Sequence, residues 1–530
     1  MTLTSELIRQ GEKDKIWSRY CGHLTLSLEE FMQIQERLLF EQFEIWKDSE
    51  IAQHFIGKKM PRSVQEFRER VPLTKYEDYV DFLMEKREES LPKANYRWAR
   101  TSGKSGKYAC KWVPLTDRMY ERFGEGALTA IILSSCDYPG DVKIQPDDVL
   151  LMGTAPLPYT SGYIAHSTED VLGIRFVPPL EEAEKMEFLD RIANGFKEGM
   201  EVGIDYFYGL ASVLGKMGER FEQGGGSKFS LSMLKTQVLG RLIKGVVKSK
   251  LQKRNMLPKD IWTLKGVMTG GMDTDIYREK VEYYWGKPPL EGYASTEGGV
   301  QALQSWNYKG MTMFPDVAFY EFIPLDEHQK NKADPGYQPK TYLMDELSPG
   351  IYEIVFTNLL GGVMMRYRIG DLLNFISLED SEIGCKIPQF RFYSRGDDLI
   401  DISNMVRFNE KDIWMAIEES ELQYVDWTAR KEINEGKSIV HLYLEYQPGE
   451  SMTLDQVKNS VEQSLKKMHP DFEGMEEIVG KDNLKVTRLP DGAFNHYMEA
   501  AKAAGADLAH LKPPHMQPKD HILTRLTNLE

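Results

Sequence analysis

Strand-like and helix-like stretches alternate along much of this chain, and that alternation limits its fold more than any other feature. Apolar segments of strand character lie at 148–152, 173–177 and 351–357, and helical spacing fills intervals such as 182–196 and 275–284. Interleaving of this kind predicts an α/β layered domain. An amphipathic helix is predicted over 27–46, opened by the capping pair Ser27 and Glu30 and carrying Phe31, Ile34, Leu38 and Ile45 near helical spacing. At 530 residues the chain exceeds what one hydrophobic core accommodates. The pattern resets after Arg395-Gly396-Asp397-Asp398. There 402–408 is strand-like, Asn409-Glu410 opens a helix with Ile413, Ile417 and Leu422, and 439–444 is a strand. Val457, Val461 and Leu465 mark a helix, and 484–486 a last short strand. The expected domains are therefore a large α/β unit over 1–394 and a smaller α+β unit over 395–530.

Charge and cysteine content narrow the functional classes. Asp plus Glu is 81 against 66 Lys plus Arg, a net charge of −15 that repels nucleic acid. The four cysteines, Cys21, Cys110, Cys136 and Cys385, never fall at Cys-x-x-Cys spacing, which disfavours a zinc site or a disulfide framework and fits a reducing compartment. Residues 1–13 are polar, and the richest apolar run, 127–133, is too short to span a bilayer. The expectation is a soluble cytoplasmic protein with neither a nucleic-acid nor a membrane partner.

Five polar clusters carry chemistry. Thr101-Ser102-Gly103-Lys104-Ser105-Gly106-Lys107-Tyr108 concentrates glycine, lysine and hydroxyls, the composition of a loop whose amides wrap an anion. It is not a P-loop, because Trp98 stands where that motif needs its first glycine. Met268-Thr269-Gly270-Gly271-Met272 follows the strand-like 262–267 and precedes a helix. It suits close approach of a flat ligand, or a plain strand-to-helix turn. Tyr293-Ala294-Ser295-Thr296-Glu297-Gly298-Gly299 places a carboxylate beside a hydroxyl, as a divalent cation and phosphate would require, or makes an ordinary turn. Asp371, in Tyr367-Arg368-Ile369-Gly370-Asp371, is either a ribose-binding acid or an exposed turn residue. Lys512 precedes Pro513-Pro514 on a stiff base near the C-terminus.

Taken in order, these clusters resemble the adenylate-forming superfamily. They are most similar to the auxin-responsive-promoter family of acyl-acid amido synthetases, whose Tyr-Ala-Ser-Ser-Glu and Tyr-Arg-x-Gly-Asp motifs read here Tyr-Ala-Ser-Thr-Glu and Tyr-Arg-Ile-Gly-Asp. The stretch from Phe494 through Gly505 to Lys512-Pro513 resembles that family's C-terminus, so the likeness runs from about residue 60 onward. It implies a large N-terminal adenylate-forming domain with a mobile smaller one. It also implies ATP and Mg²⁺, and activation of a carboxylic acid as acyl-AMP with release of pyrophosphate. Transfer to an amine, favoured as an amino acid, would follow; transfer to coenzyme A is the alternative. By position, the resemblance implies that Ser102, Gly103, Ser105 and Gly106 wrap the terminal phosphates. Gly270 and Gly271 would lie beside the adenylate, Tyr293 on adenine and Thr296 at the α-phosphate. Glu297 would hold Mg²⁺, and Asp371 the ribose with Arg395 near it. Asp397 would be the hinge, and Lys512 would bridge α-phosphate and carboxylate. The family's phosphate loop usually has Thr where Lys104 stands, and Lys111 matches a lysine just after that loop. The acyl pocket is expected from aromatic-rich 156–163 and 311–314, suiting an aryl or hydrophobic acid.

Overall fold

An eleven-stranded mixed sheet, flanked by helices, organises the larger part of the computed structural model. The structure describes residues 3–101, 110–223, 236–270, 274–402, 406–434, 437–470, 472, 483–503 and 514–528. The chain forms two units, Met1–Ile369 with Leu373–Phe392, and Gly370–Leu372 with Tyr393–Glu530.

In the first unit, β1 (Tyr96–Arg100) and β2 (Trp112–Thr116) make a separate antiparallel pair. The sheet contains β3 (Val149–Gly153), β4 (Arg175–Val177), β5 (Tyr206–Gly209), β6 (Gly266–Gly270), β7 (Pro289–Ser295), β8 (Gly299–Gln304), β9 (Met311–Met313), β10 (Ala318–Pro324), β11 (Gly350–Asn358), β12 (Tyr367–Ser377) and β13 (Gln389–Arg395). Its spatial order is β10-β11-β12-β13-β9-β8-β7-β6-β5-β3-β4. From β4 to β7 neighbouring strands are parallel, because helices such as Thr160–Leu172, Phe188–Val202 and Thr274–Trp285 carry the chain back between them. From β7 onward the recorded pairings are antiparallel. The register aligns Gly153 with Gly209, Gly209 with Thr269, and Gly270 with Gly292, so the carboxyl ends of the parallel strands finish at one edge. Open α/β sheets bind ligands outside that edge.

The helix Leu28–Trp46 has the capping box expected of Ser27 and Glu30. Its Phe31, Leu39, Phe43 and Trp46 are buried, and each such side chain stabilises the fold by about 2 kcal/mol. The run 127–133 belongs to the buried helix Asp117–Ser135. Among the described residues no helix is long and apolar enough to cross a membrane. The helix expected over 182–196 is instead two, Leu180–Ala183 and Phe188–Val202. Turn hydrogen bonds from Lys185 and Met186 interrupt it, while Ala183 and Met186 keep the helical spacing that hides the break.

The second unit pairs β14 (Ile400–Ile402) with β15 (Val406–Phe408), and β16 (Tyr424–Asn434) with β17 (Lys437–Tyr446), both antiparallel; β17 runs parallel to β18 (Leu484–Arg488). The single strand expected over 402–408 is thus the second half of a strand pair, since Ile402 lies opposite Val406. The helices Glu410–Glu418, capped by Asn409, and Leu454–Met468 close a core in which Ile413, Ile417, Val457, Val461 and Leu465 meet Trp427 and Leu442. The sequence pattern gives no sign of β16, because Arg430, Lys431 and Glu432 mask the buried Trp427 and Ala429.

Candidate active site

Glu297 occupies the tight turn between β7 and β8, where the parallel half of the sheet gives way to the antiparallel half. The turn closes because the Ser295 hydroxyl accepts from the Gly298 amide at 2.9 Å and Gly299 adopts φ +72°, a left-handed conformation that glycine tolerates best. The Asn358 amide group donates to the Glu297 carbonyl at 2.9 Å, tying the turn to β11.

The Glu297 carboxylate is buried between two donor side chains. Tyr367, at the start of β12, donates to Oε1 at 3.0 Å. Lys111 Nζ stands 3.7 Å from the same oxygen and 5.1 Å above the Tyr76 ring. Burial, then the Glu297 charge and hydrogen bond, pushes the Tyr367 phenol well above its ordinary range, so it remains a donor. Both contacts fall on Oε1. Among the described residues there is no group of three side chains fit to hold a metal. A divalent ion fits here only as one that Glu297 shares with phosphate oxygens and water, a common arrangement for Mg²⁺.

Lys111 comes to this place through the β1–β2 pair. The Thr101 amide donates to the Lys111 carbonyl at 3.0 Å and the Lys111 amide to the Thr101 hydroxyl at 3.1 Å, which pins Thr101 and Lys111 to each other. Tyr76 hydrogen bonds with the Trp112 carbonyl and amide at 2.9 and 2.8 Å and holds β2 beneath the lysine. Thr296 accepts from the Thr160 hydroxyl at 3.0 Å. The segment 156–159 is held against β1 by the Arg100 amide, which donates to the Pro158 carbonyl at 2.9 Å.

Beside this cluster lies an apolar cavity of about 70 Å³. Small residues open it: Gly126 and Ala130 on one helix, and Gly270, Gly292 and Ala294 on β6 and β7. Larger walls come from Ile131, Phe176, Tyr208 and Met268. A Cβ added at Gly270 would meet no atom within 4 Å. The strand that lines the pocket through Gly292 and Ala294 runs directly into Thr296 and Glu297. The expected acyl walls are not among the pocket's lining residues. Residues 156–163 and 311–314 do not line the pocket; Thr160 faces Thr296, and Met311, Met313 and Phe314 are packed in the core.

Of the other expected site residues in the first unit, Tyr293 is buried in β7 and stacks on Phe392 with ring centroids 6.3 Å apart. In the second unit Arg395 Nε lies 3.8 Å from Asp371 Oδ1, and the Gly396 amide donates to the Gly370 carbonyl at 2.8 Å. Asp397 is exposed. Burial lifts the neighbouring Asp398 carboxyl to about 7 against the pull of Arg395, with Glu410, Asp397 and Asp371 adding to the rise. Ser102, Gly103, Lys104, Ser105, Gly106, Gly271 and Lys512 lie outside the described residues. Sequence reading left Tyr367 without a role and placed Thr160 only among the expected acyl-pocket walls, although both sit inside segments it singled out.

This fold is shared with solved ligase structures. It superposes on a GH3.15 acyl acid amido synthetase with TM-score 0.65 and 17% identity, covering 97% of this chain and 95% of that one. It superposes on a 2-hydroxyisobutyryl-CoA ligase with TM-score 0.63 and 13% identity, covering 95% and 93%. Residues 22–171 match the GH3 family N-terminal domain and residues 311–395 the GH3 family central domain. The chain is 24% identical over 284 residues to the indole-3-acetic acid-amido synthetase GH3.17 of Arabidopsis thaliana, across 47% of this chain and 45% of that one. The matched part thus spans a little under half the length of that relative.

Proposed function

We propose that this protein activates a carboxylic acid with ATP and transfers the acyl group to the amine of an amino acid. The observation that carries the reading is the buried Glu297 carboxylate, charge-matched by Lys111 and set where a pocket-lining strand ends. A carboxylate cannot expel oxide, so it must first gain a leaving group. Its oxygen attacks the α-phosphorus of ATP, the bond to the β-phosphate oxygen breaks, and pyrophosphate departs. The amine nitrogen then attacks the acyl carbon of acyl-AMP, AMP leaves, and the amine proton passes to solvent or a base.

Each residue has a place in that scheme. The amides of Ser102, Gly103, Ser105 and Gly106 hold the departing phosphates, and Thr296, oriented by Thr160, meets the α-phosphate. Gly270 leaves room for the adenylate, beside which Gly271 would also lie, Tyr293 supports the adenine, and Asp371 with Arg395 takes the ribose. Mg²⁺ bound by Glu297 would supply charge to offset that of the triphosphate. Lys512 places a positive charge between the α-phosphate and the acid, and Asp397 is the hinge about which the second unit moves between the half-reactions. The pocket has an apolar lining, which suits an aryl or short alkyl acid.

The test is acid-dependent exchange of labelled pyrophosphate into ATP across a panel of carboxylic acids. Amino acids and coenzyme A are then added to the best acid. Exchange followed by amide formation supports the reading; a thioester moves the protein to the coenzyme A ligases; ADP in place of AMP overturns it.

A further inference from the structure

The helix Thr236–Leu251 turns an apolar stripe outward. Val238, Gly245 and Ser249 face the protein and are buried. A Cβ at Gly245 would lie 2.8 Å from Met256 Sδ, so the inner face is seated closely. Arg241 anchors the same side, donating to the Met200 and Glu201 carbonyls at 2.9 and 2.7 Å. On the opposite face Leu239, Ile243, Val246, Val247 and Leu251 recur at three- and four-residue spacing and are exposed, Ile243 by 54% and Leu251 by 79%. An apolar stripe on the outer face of a surface helix reverses the usual pattern and marks a contact surface.

Charge identifies what the stripe meets. From Gln223 to Lys259 the sequence holds nine Lys and Arg and no Asp or Glu, within a chain of net charge −15. Lys244 and Lys250 lie beside the exposed apolar residues and are themselves exposed. Apolar side chains rimmed by lysines suit the headgroup boundary of an anionic bilayer, where the chains enter the acyl region and the ammonium groups pair with lipid phosphates and carboxylates. A second copy of this helix would bring the same basic charge against it. The stripe also runs along a convex helix roughly 24 Å long, which a flat surface meets over its whole length.

We propose that the outer face of Thr236–Leu251 docks this protein on the surface of a membrane containing anionic lipid. The helix lies on the bilayer and does not cross it. This departs from the expectation, drawn from the polar N-terminus and the shortness of the apolar run 127–133, of no membrane partner. It is also independent of the reaction proposed above.

The experiment is co-sedimentation of the full chain with phosphatidylcholine vesicles and with vesicles of phosphatidylcholine and phosphatidylserine, at about 0.1 M and about 0.5 M salt. Binding is expected to the phosphatidylserine vesicles alone and to fall at the higher salt. Two double variants, Ile243→Ser with Val247→Ser and Lys244→Glu with Lys250→Glu, should each lower partitioning at least ~10-fold, with thermal melting unchanged because all four positions are exposed. No binding to anionic vesicles, as an acidic protein partner would give, overturns the proposal. Binding that survives both variants overturns it too.

Discussion

Lys111 Nζ stands 3.7 Å from Glu297 Oε1, the oxygen that also accepts from Tyr367. With side-chain exposures of 11% and 6%, neither charge is well solvated, and each offsets part of the other's burial. Removing one partner of such a pair costs about 3–5 kcal/mol, whereas removing both is far milder. Lys111→Met should therefore lower stability by about 3 kcal/mol, and the double variant with Glu297→Gln should recover most of that loss. Chemical denaturation of the four species measures it. Additive losses would show that the pairing has no energetic meaning.

The proposed role of Glu297 is separable from its structural one. Glu297→Gln keeps size and shape and should slow acid-dependent pyrophosphate exchange by ~100-fold, the order of one electrostatic contact at a transition state. Exchange within a few-fold of wild type would remove Glu297 from the reaction.

Lys512 is expected to act in adenylation and not in ATP capture. Lys512→Ala should slow exchange by ~100-fold or more with little change in the Kd for ATP. A parallel loss of nucleotide affinity would assign the lysine to ATP capture instead.

Gly270 offers a substitution that the empty fold tolerates. Because a Cβ there meets nothing within 4 Å, Gly270→Val should leave the melting temperature within a degree or two, roughly what an unstrained substitution costs. The added methyls project into the space proposed for the adenylate, so the KM for the acid should rise about 10-fold or more. A full activity profile across the acid panel would place the substrate elsewhere.

His515 gives stability a pH dependence. Its ring donates to Glu410 Oε1 at 2.7 Å and to Asp426 Oδ1 at 2.8 Å, and it stacks on Trp427 with centroids 4.5 Å apart. Burial by itself would lower its pKa, but the two carboxylates, Asp426 foremost, overcome that and raise it from 6.5 to about 9. A raised pKa stabilises the fold fully below pH 6.5, and the contribution fades as pH climbs through about 9. The difference in stability between wild type and His515→Gln should be largest below pH 6.5, on the order of 3 kcal/mol, and shrink toward pH 9. Denaturation at the two pH values measures it; a difference that does not change with pH would show that His515 is not held as a cation.

Local chemistry was legible in the sequence wherever neighbours along the chain decide it. The capping pair at Ser27 and Glu30 depends on residues three positions apart and forms as their spacing requires, and Asn409 opens its helix. The turn carrying Thr296 and Glu297 reads directly from its hydroxyl, carboxylate and two glycines. The alternation of strand and helix was equally visible, since period and composition are local properties.

What only the tertiary structure decided is which remote groups meet. Tyr367 reaches Glu297 across 70 positions although β13, β9 and β8 lie between β12 and β7 in the sheet, an order no periodicity encodes. Lys111 arrives from a strand pair outside the sheet altogether. The apolar pocket escaped notice for a related reason. It is made by small residues on two helices and several strands, and an alanine or glycine shows the space it leaves only once its neighbours are in place. Sequence fixes the chemistry each segment can offer, while strand order and register determine which offers coincide, because side chains remote along the chain interact only at the few ångströms to which packing brings them.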